Sequence, residues 1–156
     1  MTPKTFSKKY NLHCGNQPRE GYENKDKRIN PEDSYDLMYE IEGIVSDIIV
    51  NPGCLESTAR PEIKKYFDGW HKALSTDGTL ILYYCDPYIS ANNLLSQKMQ
   101  LPQFENQFLR NGWISLYDMK ELTNALIASN FKIKNCYYHD SIGVINATKG
   151  TSSISL

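Results

Sequence analysis

No stretch of this sequence approaches the roughly 20 apolar residues that a membrane-spanning helix needs. Its opening, Met1-Thr2-Pro3-Lys4-Thr5-Phe6-Ser7-Lys8-Lys9, also lacks the apolar centre of a secretory signal. A cytoplasmic protein with no membrane partner is expected. Charge of one sign is missing too: 17 Lys and Arg stand against 18 Asp and Glu, so no global field draws the chain to nucleic acid or an anionic membrane. Cysteine is sparse, and Cys14, Cys54, Cys85 and Cys136 stand singly with no Cys-x-x-Cys pair. Adjacent strand ends could gather Cys14, Cys54, Cys85 and His13, but zinc ligands usually come in local pairs, so reduced buried thiols and no metal are expected. The Gly-x-Gly-x-x-Gly fingerprint is absent, which argues against a nicotinamide-dinucleotide site. Internal repeats are absent as well.

What is present suits one globular domain. A chain of 156 residues with 40% apolar content buries roughly 70% of its unfolded surface. Residues 9–148 form the expected domain, between a flexible N-terminal segment, 1–8, and a Ser/Thr-rich tail, 149–156. Tyr10–Cys14 reads as a strand stopped by Gly15-Asn16-Gln17-Pro18, and Tyr22–Lys25 as a second. Residues 29–34 read as a loop, and 36–44 fit either a short strand or a turn-rich connection. Asp47-Ile48-Ile49-Val50 is a β-branched run bounded by Asn51-Pro52-Gly53, the pattern of a strand buried on both faces.

Ile63, Tyr66, Phe67, Trp70, Ala73 and Leu74 share one helical face. Ser57 or Thr58 is placed to cap that helix, with Pro61 and Glu62 in its first turn. Thr79–Cys85 is again apolar, giving strand, helix, strand, as in a parallel sheet. A helix within 90–101, a loop over 102–113, and a helix opened by Ser115-Leu116-Tyr117-Asp118 and closed by Asn130 follow. Phe131–Tyr138 and Ile142–Ala147, three residues apart, read as an antiparallel hairpin. A strand that breaks at a glycine, a second closed by an acid and a helix-turn-strand over Leu74–Tyr83 suit a nucleotide-type ligand at the edge of an open α/β sheet.

These residues resemble the class I S-adenosylmethionine-dependent methyltransferases, over about residues 9–148. Leu12-His13-Cys14-Gly15-Asn16-Gln17-Pro18 is similar to the first glycine motif of small members, and Gly21-Tyr22-Glu23-Asn24-Lys25-Asp26 to the second strand with its terminal acid. Ser46–Val50 resembles the fourth strand, Leu55-Glu56 the opening of a Leu-Glu-His stretch, and Leu74–Leu80 the turn into strand five. Asn111-Gly112-Trp113 with Tyr117 resembles the loop before the penultimate helix. The fold implied is a single Rossmann-like α/β domain. It has a mostly parallel sheet of seven strands or slightly fewer, helices on both faces and an antiparallel C-terminal hairpin.

The resemblance implies S-adenosylmethionine as cofactor, held by His13, Cys14, Gly15 and Asp26, with Asp36 or a neighbour at the adenine and Asn51 and Pro52 beside the methionine part and the acceptor. It implies methyl transfer to an oxygen or nitrogen of a small molecule or a sugar. Asp86, Trp113 and Tyr117 are the acceptor-side candidates. In-line transfer from a sulfonium rests mainly on positioning, so a base is optional; Glu56 is the best placed by motif, ahead of Asp86, His71 and His139. His13 stands where the family commonly has glycine, Ser57 ends the Leu-Glu stretch, and little room remains for a helix between Gly15 and Tyr22. These reductions define the alternative, a binding or assembly module without turnover.

Overall fold

A computed structural model describes residues 7–38, 40–109 and 113–150, side chains included except that of Leu109. Of the expected flexible ends, 1–8 and 149–156, residues 1–6 and 151–156 lie outside the described residues, as do Asn111 and Gly112. The strands are β1 (Lys8–Leu12), β2 (Glu23–Lys25), β3 (Val45–Val50), β4 (Leu74–Cys85), β5 (Lys132–His139) and β6 (Ile142–Thr148). The helices are α1 (Ile63–Ala73), α2 (Pro87–Leu95), α3 (Leu101–Leu109) and α4 (Met119–Ala128). One six-stranded sheet runs β2-β1-β3-β4-β6-β5. β2, β1, β3 and β4 pair in parallel, and β6 runs antiparallel to both of its neighbours. No helix among the described residues is long and apolar enough to cross a membrane.

Alternation along the strands separates two faces. Tyr10, Ile48, Leu80, Ala147 and Ile133 are register neighbours on the face that meets α1 and α4. There they pack with Phe67, Trp70, Leu122 and Leu126, all fully buried, in one core. α1 presents Ile63, Tyr66, Phe67, Trp70 and Ala73 to that core, the face expected from its spacing. The next row, Asn11, Ile49, Ile81, Asn146 and Asn135, points the other way.

A polar ladder holds the chain where a crossover helix between β1 and β2 is missing. Asn51 Nδ2 donates to Asn11 Oδ1 and to the Leu12 carbonyl, both at 2.7 Å. Asn11 Nδ2 donates to Asn24 Oδ1 at 2.9 Å, and Asn24 Nδ2 donates to the Arg19 and Tyr22 carbonyls at 3.0 Å. Side-chain amides running from buried Asn11 to exposed Asn24 satisfy one another there in place of the apolar contact a helix would make.

Several local expectations are corrected. β1 ends at Leu12, two residues early, because His13 turns to φ +61°. The helix that Ser57 or Thr58 is expected to cap begins only at Ile63, after a 3-10 turn at Arg60–Glu62, and no side chain caps it. Residues 102–113 are not all loop: α3 spans Leu101–Leu109, and Pro102, a breaker in sequence terms, sits in its first turn where a missing N–H is harmless. α4 is capped by Asp118, whose carboxylate accepts from Glu121 N at 2.7 Å, while Ser115 donates to the Thr58 carbonyl instead. Residues 26–38 and 40–44 are turns and irregular chain, so the turn-rich alternative holds for the described part of 36–44.

Candidate functional site

In an open α/β sheet the crevice for a ligand lies outside the carboxyl ends of the strands where the connections part in opposite directions. Here that point falls between β1 and β3. The chain leaves β1 through His13, Cys14 and Gly15, β2 through Asp26 and β3 through Asn51, Pro52 and Gly53, so these residues converge. His13 N donates to the Lys25 carbonyl at 2.7 Å and Asn51 N to that of Leu12 at 3.1 Å, which continues the sheet past its last pairs. Gly15, at φ +57°, then directs its N–H to Asp26 Oδ2 at 2.7 Å.

Asp26 is 2% exposed and saturated with donors. Oδ1 accepts from Arg28 N and Nε, each at 2.9 Å, and Oδ2 accepts from Arg28 Nη2 at 2.6 Å as well as from Gly15. The Arg28 side chain's hydrogen bonds hold the Asp26 carboxyl well below the usual range, reinforced by the two backbone amides and opposed by burial. His13 fills the crevice itself. Its Nδ1 lies 3.1 Å from the Tyr35 hydroxyl, and its Nε2 lies 2.9 Å from where a side chain on Gly53 would begin. Burial first, and the Arg28 charge second, push the His13 pKa down to about 4. Imidazole, not imidazolium, therefore stands there at neutral pH. Beside it opens a cavity of about 370 Å³, walled by His13, Lys27, Arg28, Tyr35, Cys54 and Tyr66 among others.

The remaining candidates are placed differently. Asp36 is buried beneath α1, where it accepts from Ser34 Oγ at 2.7 Å and faces Lys65 Nζ at 3.4 Å. Its neighbour Tyr35 lines the cavity instead. Glu56 is fully buried, accepting from Gly53 N at 3.1 Å and from Cys85 N at 2.7 Å. Loss of solvation raises its pKa to about 7 against the pull of those amides. It braces the turn after β3 against the end of β4. Asp86 caps α2 through Ile89 N at 3.0 Å and accepts from the Tyr84 hydroxyl at 2.8 Å. Tyr117 is buried under Arg60 and lines a separate hollow between α2, α3 and α4. Trp113 does reach the crevice: its Nε1 lies 3.3 Å from the point where a Gly53 side chain would start. His71, half-buried, packs its ring edge-on to Phe131.

Sequence reasoning missed the role of Arg28 and the asparagine ladder. The Asp26-Lys27-Arg28 run resembles a solvated charge cluster; the signal for more is the two-residue spacing, which lets an Asp oxygen meet both the N–H and the guanidinium of Arg28. Among the described residues, no three His, Cys, Asp or Glu side chains are grouped to hold a metal ion.

No family model matches this sequence, and no curated protein matches it. Solved structures do. A possible exported protein of Bordetella parapertussis superposes with a TM-score of 0.62 at 14% identity over 77% of this chain, which spans only 43% of that protein. An S-adenosylmethionine-dependent methyltransferase of Mesorhizobium loti superposes with a TM-score of 0.62 at 13% identity, covering 94% of this chain and 93% of its own. A methyltransferase of Thermotoga maritima, described as a possible histamine N-methyltransferase, gives 0.60 at 11% identity, with 96% and 84% covered. The fold is that of the class I S-adenosylmethionine-dependent methyltransferases, with six strands and an antiparallel C-terminal hairpin.

Proposed function

We propose that this chain binds S-adenosylmethionine at the carboxyl ends of β1, β2 and β3 and passes its methyl group to an oxygen or nitrogen of a small molecule or a sugar. One observation carries the reading: Asp26 ends β2 with its carboxylate under the Gly15 amide, at the point of the sheet where such ligands bind. The donor set fits the cofactor. An acid beside a glycine turn suits the ribose diol, and a cavity of about 370 Å³ walled by Tyr35, Tyr66 and Cys54 is within the range of small-ligand sites. When bound, the cofactor supplies a sulfonium methyl for in-line displacement. The chain's part is orientation: Asn51, Pro52 and Gly53 wall the acceptor side, Trp113 limits water there, and Glu56 holds Gly53 in place.

Calorimetric titration with S-adenosylmethionine and S-adenosylhomocysteine tests this. Micromolar binding is expected, weakened roughly ten- to a hundredfold in Asp26→Ala through loss of a charge-assisted hydrogen bond of about 1.5–3 kcal/mol. The second reading, a sheet kept as a binding module without turnover, is favoured by Arg28 and His13 sitting in the crevice. It predicts no heat and no thermal shift with either compound at millimolar concentration.

A further inference from the structure

His13 and Trp113 bring two ring N–H groups against Gly53, and the hydrogen bonds around His13 assign its tautomer. The Tyr35 hydroxyl oxygen accepts from Lys27 N at 2.9 Å, and the acceptor left for its own proton is His13 Nδ1, at 3.1 Å. With Nδ1 accepting and the imidazole neutral, the ring proton stands on Nε2. That N–H has no partner in the chain although His13 is only 6% exposed. The indole N–H of half-buried Trp113 has none either, and its ring is set edge-on to Phe108. Among the described residues no fully enclosed side-chain nitrogen or oxygen is left unpaired, so both N–H groups open on accessible space.

A side chain on Gly53 would begin 2.9 Å from His13 Nε2 and 3.3 Å from Trp113 Nε1, so the two nitrogens stand within about 6 Å of each other. One oxygen can accept from both at that spacing. The acceptors nearby are spent. Asp26 is taken by Gly15 and Arg28, Glu56 by Gly53 N and Cys85 N, and His13 Nδ1 by Tyr35. A buried turn rich in free donors, with its acids occupied, suits a ligand oxygen that carries charge and no proton.

We infer that the methyl acceptor is a carboxylate, one oxygen of which accepts from His13 Nε2–H and Trp113 Nε1–H beside Gly53. This rests on the proposed function and names its substrate class. The other carboxylate oxygen gives a lone pair to the methyl carbon as the methyl–sulfur bond breaks, and that bonding pair stays on sulfur. No proton moves and the product is a methyl ester, so the turn needs no general base.

The test is NMR of the whole nitrogen-15-labelled chain loaded with S-adenosylhomocysteine and titrated with acetate, hexanoate, benzoate and indole-3-acetate. Benzamide and benzyl alcohol are the uncharged counterparts. The His13 ring nitrogens should show the proton on Nε2 before any acid is added. At least one acid should then shift the Trp113 indole N–H and the His13 ring nitrogens saturably. The Trp70 indole N–H, which donates to the Tyr35 carbonyl, should stay in place, and the counterparts should shift neither site. Trp113→Phe keeps a ring against Phe108 and should weaken that acid about tenfold while leaving S-adenosylhomocysteine within about twofold. With methyl-labelled S-adenosylmethionine, the label should enter the acid in a form that base releases as methanol. Shifts of both rings by S-adenosylhomocysteine alone, with no further change on adding acid, overturn the proposal, because the donors then hold the cofactor's own carboxylate. No shift with any acid, unchanged affinity in Trp113→Phe, or label found only in base-stable products also overturns it. Failure of S-adenosylhomocysteine to bind is seen before any acid is added; it removes the proposed function itself, and this assignment falls with it.

Discussion

His13 and Glu56 bury ionisable groups whose titrations oppose each other. The folded His13 titrates near 4, below its ordinary 6.5, so between those values the unfolded chain holds more protons and stability rises with pH. The folded Glu56 titrates near 7, above its ordinary 4.5, so the folded chain holds more protons and stability falls as pH rises through that interval. Each full swing is of the order of 3 kcal/mol, at about 1.4 kcal/mol per pKa unit. Between pH 4.5 and 6.5 the two slopes largely cancel. His71, also lowered by burial, adds modestly to the His13 side, while the depressed carboxyls of Asp26, Asp36 and Glu40 matter mainly below this window. Urea unfolding from pH 4 to 7.5 should therefore be nearly flat from 4.5 to 6.5 for the natural chain. His13→Gln should lose stability steadily from 4.5 to 7, and Glu56→Gln should gain it from 4 to 6.5. Glu56→Gln also turns an amide NH2 toward Gly53 N or Cys85 N, so its overall stability drops; the slope is the diagnostic. A flat profile in both variants would contradict the burial argument.

Among the elements, β6 depends on one glycine. A Cβ on Gly143 would lie 2.1–2.6 Å from the ring and hydroxyl of Tyr84, its partner across β4 and β6. That tyrosine donates to Asp86, and Asp86 caps α2, so strand pairing, ring placement and helix start are linked. Gly143→Ala should cost about 1–3 kcal/mol as overpacking and weaken the cap, read as a lower urea midpoint and faster exchange of the Ile89 amide. A midpoint unchanged within error would show that the ring yields freely. Elements whose signal lies within their own residues are legible in the sequence: the α1 stripe, the apolar runs of β3 and β4, and the β5–β6 pair with a two-residue turn. α3 was hidden because Pro102 reads as a breaker unless its place in the first turn is known. The α4 start is ambiguous because Ser115 and Asp118 both satisfy a capping pattern, and the choice is made by Thr58, distant in sequence. The 26–44 segment has no period to read, since its order comes from long-range contacts such as Trp70 Nε1 donating to the Tyr35 carbonyl. The candidate site was half legible for the same reason. Gly15 and Asp26 end recognisable strands, whereas the intrusion of Arg28 and His13 follows from a turn geometry that pattern does not specify.

At the scale of the whole molecule, β2 is the edge strand of the sheet, tied in by the asparagine ladder and by the Gly15–Asp26–Arg28 cluster. A ligand in the crevice would join the ends of β1, β2 and β3 and be felt in global unfolding. At a hundred times its dissociation constant it would add about 2.7 kcal/mol, or roughly 5–10 °C in melting temperature for a chain of this size. Arg28 decides how much of that gain is visible. While it holds both oxygens of Asp26, a diol must displace it; removing it leaves a buried carboxylate supported by backbone amides alone. Arg28→Ala should thus melt below the natural chain without ligand, by a modest margin because the arginine side chain is 59% exposed and its pairing is screened. With saturating S-adenosylhomocysteine it should gain more than the natural chain gains. Equal gains would mean that Arg28 does not compete with the ligand. No gain in either protein would reject the cofactor reading and leave the sheet as a binding module.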